Sequence, residues 1–200
     1  MDKTSLLNIL KSQNLPEKIV NVFEVVPREN FVPERLAAYA YEDLALPLED
    51  GSSISQPSTI AFMLSLLDPK QNQKILEIGS GSGYALALIS QIIKNGKIFG
   101  LEINKVLAIK SKRILDRDSN VQILNRSGIN GLPEFAPFDR ILVSAAFNDL
   151  RIPFAISDQL ADNGIMIAPV KSSIFKLEKI DGKLKETQYP GFAFVPFKEE

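Results

Sequence analysis

The chain of 200 residues contains neither cysteine nor histidine. These absences remove disulfides, thiol nucleophiles, nearly all zinc sites and any Ser-His-Asp hydrolase, whose base is an imidazole. An excess of one charge is missing too, with 23 Lys and Arg against 24 Asp and Glu. No global field then draws the chain to nucleic acid or anionic lipid, and no basic run with interleaved aromatics appears. No apolar run approaches the roughly 18–20 residues of a membrane span, and Met1-Asp2-Lys3-Thr4 opens no signal-type apolar region. The expectation is a cytoplasmic monomer with no nucleic-acid, membrane or metal partner. Any catalysis must rest on carboxylates, hydroxyls, amides, backbone and a cofactor.

What is present is concentrated in Lys74-Ile75-Leu76-Glu77-Ile78-Gly79-Ser80-Gly81-Ser82-Gly83-Tyr84. It reads as a short buried strand, a turn of alternating glycines and the start of an apolar helix. Such a turn lets a ligand lie against bare backbone. A second apolar run, Lys97 to Glu102, closes on an acid. Strand, glycine turn, helix, strand and acid describe a pocket for an adenosine-containing cofactor at the C-terminal edge of a parallel sheet. The third glycine of the dinucleotide fingerprint would fall on Tyr84, and no Lys-Ser or Lys-Thr follows as in a phosphate-cradling loop. The pattern is that of S-adenosylmethionine-dependent methyltransferases, where the backbone meets the amino-acid part of the cofactor and the acid accepts the ribose hydroxyls. A merely structural turn is the competing reading.

Ser5–Asn14 and Pro16–Val25 read as two short helices, ended by Pro27. Arg28 to Asp50 reads as irregular. Pro57 opens a helix with Ile60, Met63, Leu64 and Leu67 on one face. Strands are predicted at Lys74–Ile78, Lys97–Glu102, Val121–Asn125, Asp139–Ser144 and Ile165–Val170, and helices at Tyr84–Ile93, Lys105–Arg117 and Pro153–Leu160. This alternation predicts an α/β, mostly parallel, doubly wound sheet of Rossmann-like type. Ile174–Ile180 and Lys183–Gln188 flank Asp181-Gly182 as an antiparallel edge hairpin. Phe192–Phe197 reads as a last strand. The expected organisation is one domain over residues 1–200, with an N-terminal helical extension and active-site loop at 1–56 and the core with its C-terminal hairpin at 57–200.

With these elements placed, the chain resembles the protein-L-isoaspartate O-methyltransferase family. The resemblance is carried by Val26-Pro27-Arg28-Glu29-Asn30-Phe31-Val32-Pro33, Ala40-Tyr41-Glu42-Asp43, Ser53-Ile54-Ser55-Gln56-Pro57 and Leu76 to Tyr84. Further on it runs through Gly131-Leu132-Pro133-Glu134, Ala136-Pro137-Phe138-Asp139, Ala145-Ala146 and Phe194-Val195-Pro196. It implies a repair enzyme that methylates the carboxylate of L-isoaspartyl, in some members D-aspartyl, residues of damaged peptides and proteins. Methyl transfer to an oxygen that is already ionised suits a chain without histidine.

The resemblance carries Ser55 over as the catalytic hydroxyl that orients the acceptor; capping the helix at Pro57 is its structural alternative. Cofactor contacts carry to Ser53, Glu77, Gly79, Ser80, Gly81, Ser82, Gly83, Glu102, Ser127 and Gly128. Glu102 is the ribose ligand, or else a turn acid before the helix at Lys105. The alternating Gly79, Gly81 and Gly83 also read as a close-packing device, which does not conflict with cofactor binding. Where the family has Gly-Asp-Gly after the third strand, this chain has Arg126-Ser127-Gly128, which implies weaker adenine recognition. The usual Lys-Pro-Gly-Gly turn appears as Ala161-Asp162-Asn163-Gly164, and Pro-Val-Gly as Pro169-Val170-Lys171, with Lys171 read as solvated. Tyr41, Glu42 and Asp43 shape the peptide entrance or form a surface turn. The basic residues of Lys105–Arg117 read as a solvated helix face, and Phe192, Phe194 and Phe197 as packing. Rival readings are a degenerate cofactor-binding paralogue, a nicotinamide oxidoreductase and a methyltransferase with another acceptor.

Overall fold

The computed structural model describes residues 1–148 and 152–198. Helix α1 (Lys3–Ser12) starts where the Asp2 carboxylate accepts the Ser5 amide, and α2 (Glu17–Val25) stops before Pro27. Short 3-10 segments at Arg28–Phe31 and Glu34–Tyr39 lead to a two-stranded ribbon of β1 (Leu46–Pro47) and β2 (Ser53–Ile54), whose strands a third, Glu49–Gly51, connects. Helix α3 (Pro57–Leu67) follows, with Pro57 in its first turn and Ile60, Met63, Leu64 and Leu67 all buried, as their spacing predicts.

The alternating core comprises β3 (Lys74–Ile78), α4 (Tyr84–Ile93), β4 (Lys97–Glu102), α5 (Lys105–Ile114), β5 (Val121–Asn125), β6 (Phe138–Val143), α6 (Phe154–Ser157), β7 (Leu160–Val170), β8 (Ser173–Ile180) and β9 (Lys183–Pro190). The strands form one sheet in the order β5-β4-β3-β6-β7-β8-β9. It is parallel from β5 to β7 and antiparallel from β7 to β9. Strand β3 lies between β4 and β6, so the winding reverses beside it and a crevice opens at its C-terminal end. The glycine turn lies there.

Side chains of β3 alternate between two apolar clusters. Ile75 joins the one built from α1 to α4, whereas Leu76 and Ile78 join the one that includes Phe138, Ile156 and Met166. Both faces of the sheet are therefore covered. Leu6, Leu10, Ile19, Val20 and Phe23 of the first two helices share a cluster with Leu64, Leu86 and Ile89. Each such side chain contributes about 1.5–3 kcal/mol by leaving water. Because α2 packs over it, α4 is apolar on almost every face.

Three expectations are corrected. Phe192–Phe197 forms no strand; it makes only a one-residue bridge, Ala146 with Pro196. The chain turns at Gly191 (φ 96°), and proline supplies no amide to extend a ladder. The helix foreseen at Pro153–Leu160 is a single turn, because β7 already begins at Leu160 and pairs Leu160 with Phe138. The helix foreseen at Lys105–Arg117 ends at Ile114. Among the described residues no helix is long and apolar enough to cross a membrane.

Candidate active site

Two adjoining cavities open at the crevice. The larger, about 260 Å³, is lined by Gly51, Ser53, Gly79, Gly81, Glu102 and Gly128, and on its far side by Val195 to Lys198. The smaller, about 50 Å³, is lined by Ser53, Ser55, Glu77, Ser80, Ser82 and Phe194. Ser53, Gly79, Gly81 and Ser144 line both, so the cavities meet at the glycine turn.

The turn depends on its glycines for two distinct reasons. Gly79 and Gly81 stand at φ 77° and 54°, a region that L side chains rarely adopt. Gly83, also left-handed, lies against α5: a Cβ there would stand 3.0 Å from Ser111 Cβ and Leu115 Cδ1. Gly83 thus serves packing and lines neither cavity. The turn's amides are mostly engaged inside the protein. Gly79 and Ser80 donate to the Leu101 carbonyl, Gly81 to Glu102 and Gly83 to the Ser80 carbonyl. The turn therefore offers close backbone approach more than a nest of free N–H groups. The Ser80 side chain faces Gly100, where a Cβ would come 3.2 Å from its Oγ.

Glu102 ends β4 and is buried, 5% exposed. Its Oε2 accepts the Gly81 amide at 2.6 Å and its Oε1 the Asn104 amide at 2.8 Å. Each oxygen keeps a further lone pair for a ligand hydroxyl in the larger cavity. Glu102 does not cap α5; Asn104 does, accepting the amides of Val106 and Leu107. Glu102 thus holds the turn and also borders the cavity, so the two readings of it are compatible.

Glu77 occupies the same side of β3 as Ile75 and is 1% exposed. Its Oε1 accepts the Ser144 hydroxyl at 2.7 Å, while Oε2 has no hydrogen-bond partner among the described residues. Burial pushes this carboxyl up to about 8, reinforced by Glu102 and opposed by the Ser144 hydrogen bond. An orphaned carboxyl oxygen on the smaller cavity, beside a bare glycine turn, fits a ligand that carries a cationic ammonium group, whose charge draws the carboxyl back toward its ionised form. Ser144 has no place in the sequence motifs singled out above, and nothing local marks it.

Ser55 is half-buried and lines the smaller cavity. The capping alternative for it fails. Gln56 is the N-cap and makes no side-chain cap bond, whereas the Ser58 amide donates to Asp43 Oδ1 at 2.9 Å. Asp43 Oδ2 also accepts Gln56 Nε2 at 3.0 Å, so Asp43 braces the loop that carries Ser55. Sequence reading left Asp43 outside the site; no short-range signal joins it to Ser58. Tyr41 donates to Glu29, and Glu42 pairs with the N-terminal ammonium of Met1.

Gly128 packs under β3, where a Cβ would come 2.2 Å from Ile78 Cγ2. Ser127 accepts the Ile129 amide at 3.4 Å and does not line either cavity. Arg126, whose bulk stands where the resembled family has glycine, is drawn away by Glu134 at 2.7 Å and by the Gly131 carbonyl at 3.2 Å. Phe197 stacks on Phe147, with centroids 4.7 Å apart, and lines the larger cavity, while Phe192 stacks on Phe62. Lys171 is exposed, and Asn163 takes the left-handed conformation expected of it.

Comparison with known proteins agrees with this fold. The sequence profile of the protein-L-isoaspartate(D-aspartate) O-methyltransferase family matches residues 1–200. The chain is 36% identical to the protein-L-isoaspartate O-methyltransferase of Dictyoglomus turgidum, over 99% of this chain and 91% of that one. It is 40% identical to the enzyme of the same name from Methanocella arvoryzae, over 86% and 93% of the two chains. A solved protein-L-isoaspartate O-methyltransferase superposes with a TM-score of 0.86 at 28% identity, covering 98% of this chain and 65% of that one. With its glycine turn, its acid at the end of β4 and its Ser53–Pro57 loop in place, the chain belongs to the protein-L-isoaspartate(D-aspartate) O-methyltransferase family.

Proposed function

We propose that the chain methylates the free carboxylate of L-isoaspartyl residues in damaged peptides and proteins, with S-adenosylmethionine as donor. One observation carries the reading. The cavity bordered by Glu102 and the cavity that ends at Ser55 share the walls Ser53, Gly79, Gly81 and Ser144. A donor whose adenosine lies in the first and whose methionine portion reaches Glu77 in the second thereby brings its methyl group beside an acceptor entering at Ser55.

Bound S-adenosylmethionine supplies a methyl group on a sulfonium. The residues present suit it: Glu102 for the ribose hydroxyls, Glu77 for the ammonium of the methionine portion, and Gly79 and Gly81 for close backbone approach. The acceptor carboxylate, with a pKa of about 4, is already ionised at neutral pH, so the site needs no base. The Ser55 hydroxyl donates a hydrogen bond that orients this carboxylate. Ile54, Ile60 and Met63 give the smaller cavity an apolar wall that excludes water from the acceptor oxygen. Orientation of this kind supplies on the order of 7–11 kcal/mol in the best cases. The adjacent backbone amide nitrogen then attacks the ester carbonyl and expels methanol, closing a succinimide whose hydrolysis returns part of the damaged residue to aspartate.

The test is incubation with methyl-labelled S-adenosylmethionine and matched peptides, one with isoaspartate and one with aspartate. Base-labile label in the first alone is expected; label in both, or in neither, overturns the reading. The same proposal takes one chain as the catalytic unit and the cytoplasm as its compartment. A monomeric sedimentation profile and recovery of the activity in the cytosolic fraction are the corresponding checks.

A further inference from the structure

Arg28 is 0% exposed, yet its side chain makes no ion pair among the described residues. Nε and Nη1 have no hydrogen-bond partner among the described residues. Nη2 donates to the Ser55 carbonyl at 3.0 Å and, more weakly, to the Leu44 carbonyl at 3.4 Å. The guanidinium carbon lies 5.1 Å from the centroid of the Tyr84 ring. Tyr84 opens α4 directly after Gly83, and its ring is fixed by Phe31 at 5.2 Å and Phe23 at 6.0 Å. Arg28 therefore touches the acceptor loop with one edge and the helix behind the cofactor turn with its face.

A buried cation that feels the Asp43 carboxylate through space but makes no ion pair with it, and that holds two unsatisfied donors, is a costly way to fill space. A methionine would occupy the same volume without that cost. The arrangement does one thing an apolar residue cannot: it ties the Ser55 peptide to the α4 wall through a directional bond. We infer that Arg28 is a positioning residue that fixes the distance between the Ser55 loop and the cofactor turn. The inference rests on the role proposed for Ser55.

The experiment uses Arg28→Met, Arg28→Lys, Ser55→Ala and the double variant Arg28→Met/Ser55→Ala. Arg28→Met is expected to fold and to bind S-adenosylmethionine within about twofold of the parent, since Arg28 lines neither cavity. Its kcat on an isoaspartyl peptide should fall by about tenfold or more, as small misplacements at a reacting centre do. Arg28→Lys should recover part of that loss, because an ammonium still reaches a carbonyl. The double variant should lose no more than the worse single one. Amide exchange of Ser53 to Gln56 should quicken about tenfold in Arg28→Met, with β3 and β4 unchanged.

Wild-type kcat and wild-type exchange in folded Arg28→Met would overturn the inference, as would losses that multiply in the double variant. If Arg28→Met fails to fold, Arg28→Lys is read in its place: slower turnover with faster loop exchange supports the inference, and parent-like values of both overturn it. The exchange measurement needs no turnover. A parent chain that methylates neither peptide therefore sinks the repair reading while the Arg28 tie is still judged by exchange alone.

Discussion

The carboxylate of Asp43 accepts the backbone amide of Ser58 at 2.9 Å, capping α3 from 15 residues upstream. Its other oxygen takes the Gln56 side chain. Asp43→Ala should lower stability by about 1–2 kcal/mol, the usual cost of a lost cap, and should lower turnover as the Ser55 loop loosens. Asp43→Asn keeps the Oδ1 acceptor and should restore most of the stability. Urea denaturation of the three proteins decides, and equal midpoints for parent and Ala variant would reject the bracing role.

Ser55→Ala removes a hydroxyl from the smaller cavity and leaves the Glu102 side untouched. Turnover of an isoaspartyl peptide should drop by roughly tenfold or more, in line with loss of an orienting hydrogen bond at a reacting centre. Titration calorimetry with S-adenosylmethionine should show little change. Equal losses in turnover and donor affinity would be incompatible with a hydroxyl that acts on the acceptor.

Glu77 ties stability to pH. Burial raises its folded-state carboxyl to about 8, above its ordinary value of 4.5. Between those values the folded protein keeps a proton that the unfolded chain releases, so stability falls as pH rises across that window. Glu77→Gln, which cannot ionise, should flatten the decline. Denaturation midpoints of the ligand-free protein from about pH 5 to pH 8 test this, and parallel slopes for the two proteins would refute it.

Ser127 is uncharged and lines neither cavity, although its neighbour Gly128 borders the larger one; the family resemblance leads one to expect an aspartate at this position. Ser127→Asp should tighten S-adenosylmethionine binding by the worth of a charge-assisted hydrogen bond, about 1.5–3 kcal/mol, or roughly ten- to 150-fold. A dissociation constant for the parent that the substitution leaves unchanged would show that adenine is held some other way. Arg126 should not oppose the gain, since Glu134 and the Gly131 carbonyl already hold it.

Much of this architecture was legible because it is local. The apolar run Ile75–Ile78, the glycines after it and Glu102 at the end of the next strand require only short-range backbone rules to be read as strand, turn and acid. The left-handed angles at Gly79 and Gly81 satisfy that reading. The hairpin at Asp181-Gly182 was legible for the same reason, with both residues at positive φ. Phe192–Phe197 was misread because its composition suits a strand, whereas pairing depends on having a partner; among the described residues Ala146 bridges Pro196 and the Phe192 amide donates to the Ser172 carbonyl, with no continuous ladder.

The amino-acid sequence by itself settled the order of strands and helices through β3, the glycine turn, α4 and β4, and which chemistry is closed to a chain without histidine or cysteine. Turn geometry and side-chain inventory are properties of neighbours and of composition. Tertiary structure alone decided that Arg28 reaches the Ser55 carbonyl, that Asp43 rather than Ser55 caps α3, and that Ser144 holds Glu77. Those pairings join residues far apart in the chain. A buried polar group takes whichever partner the packed core brings within about 3 Å, and no local pattern encodes that choice.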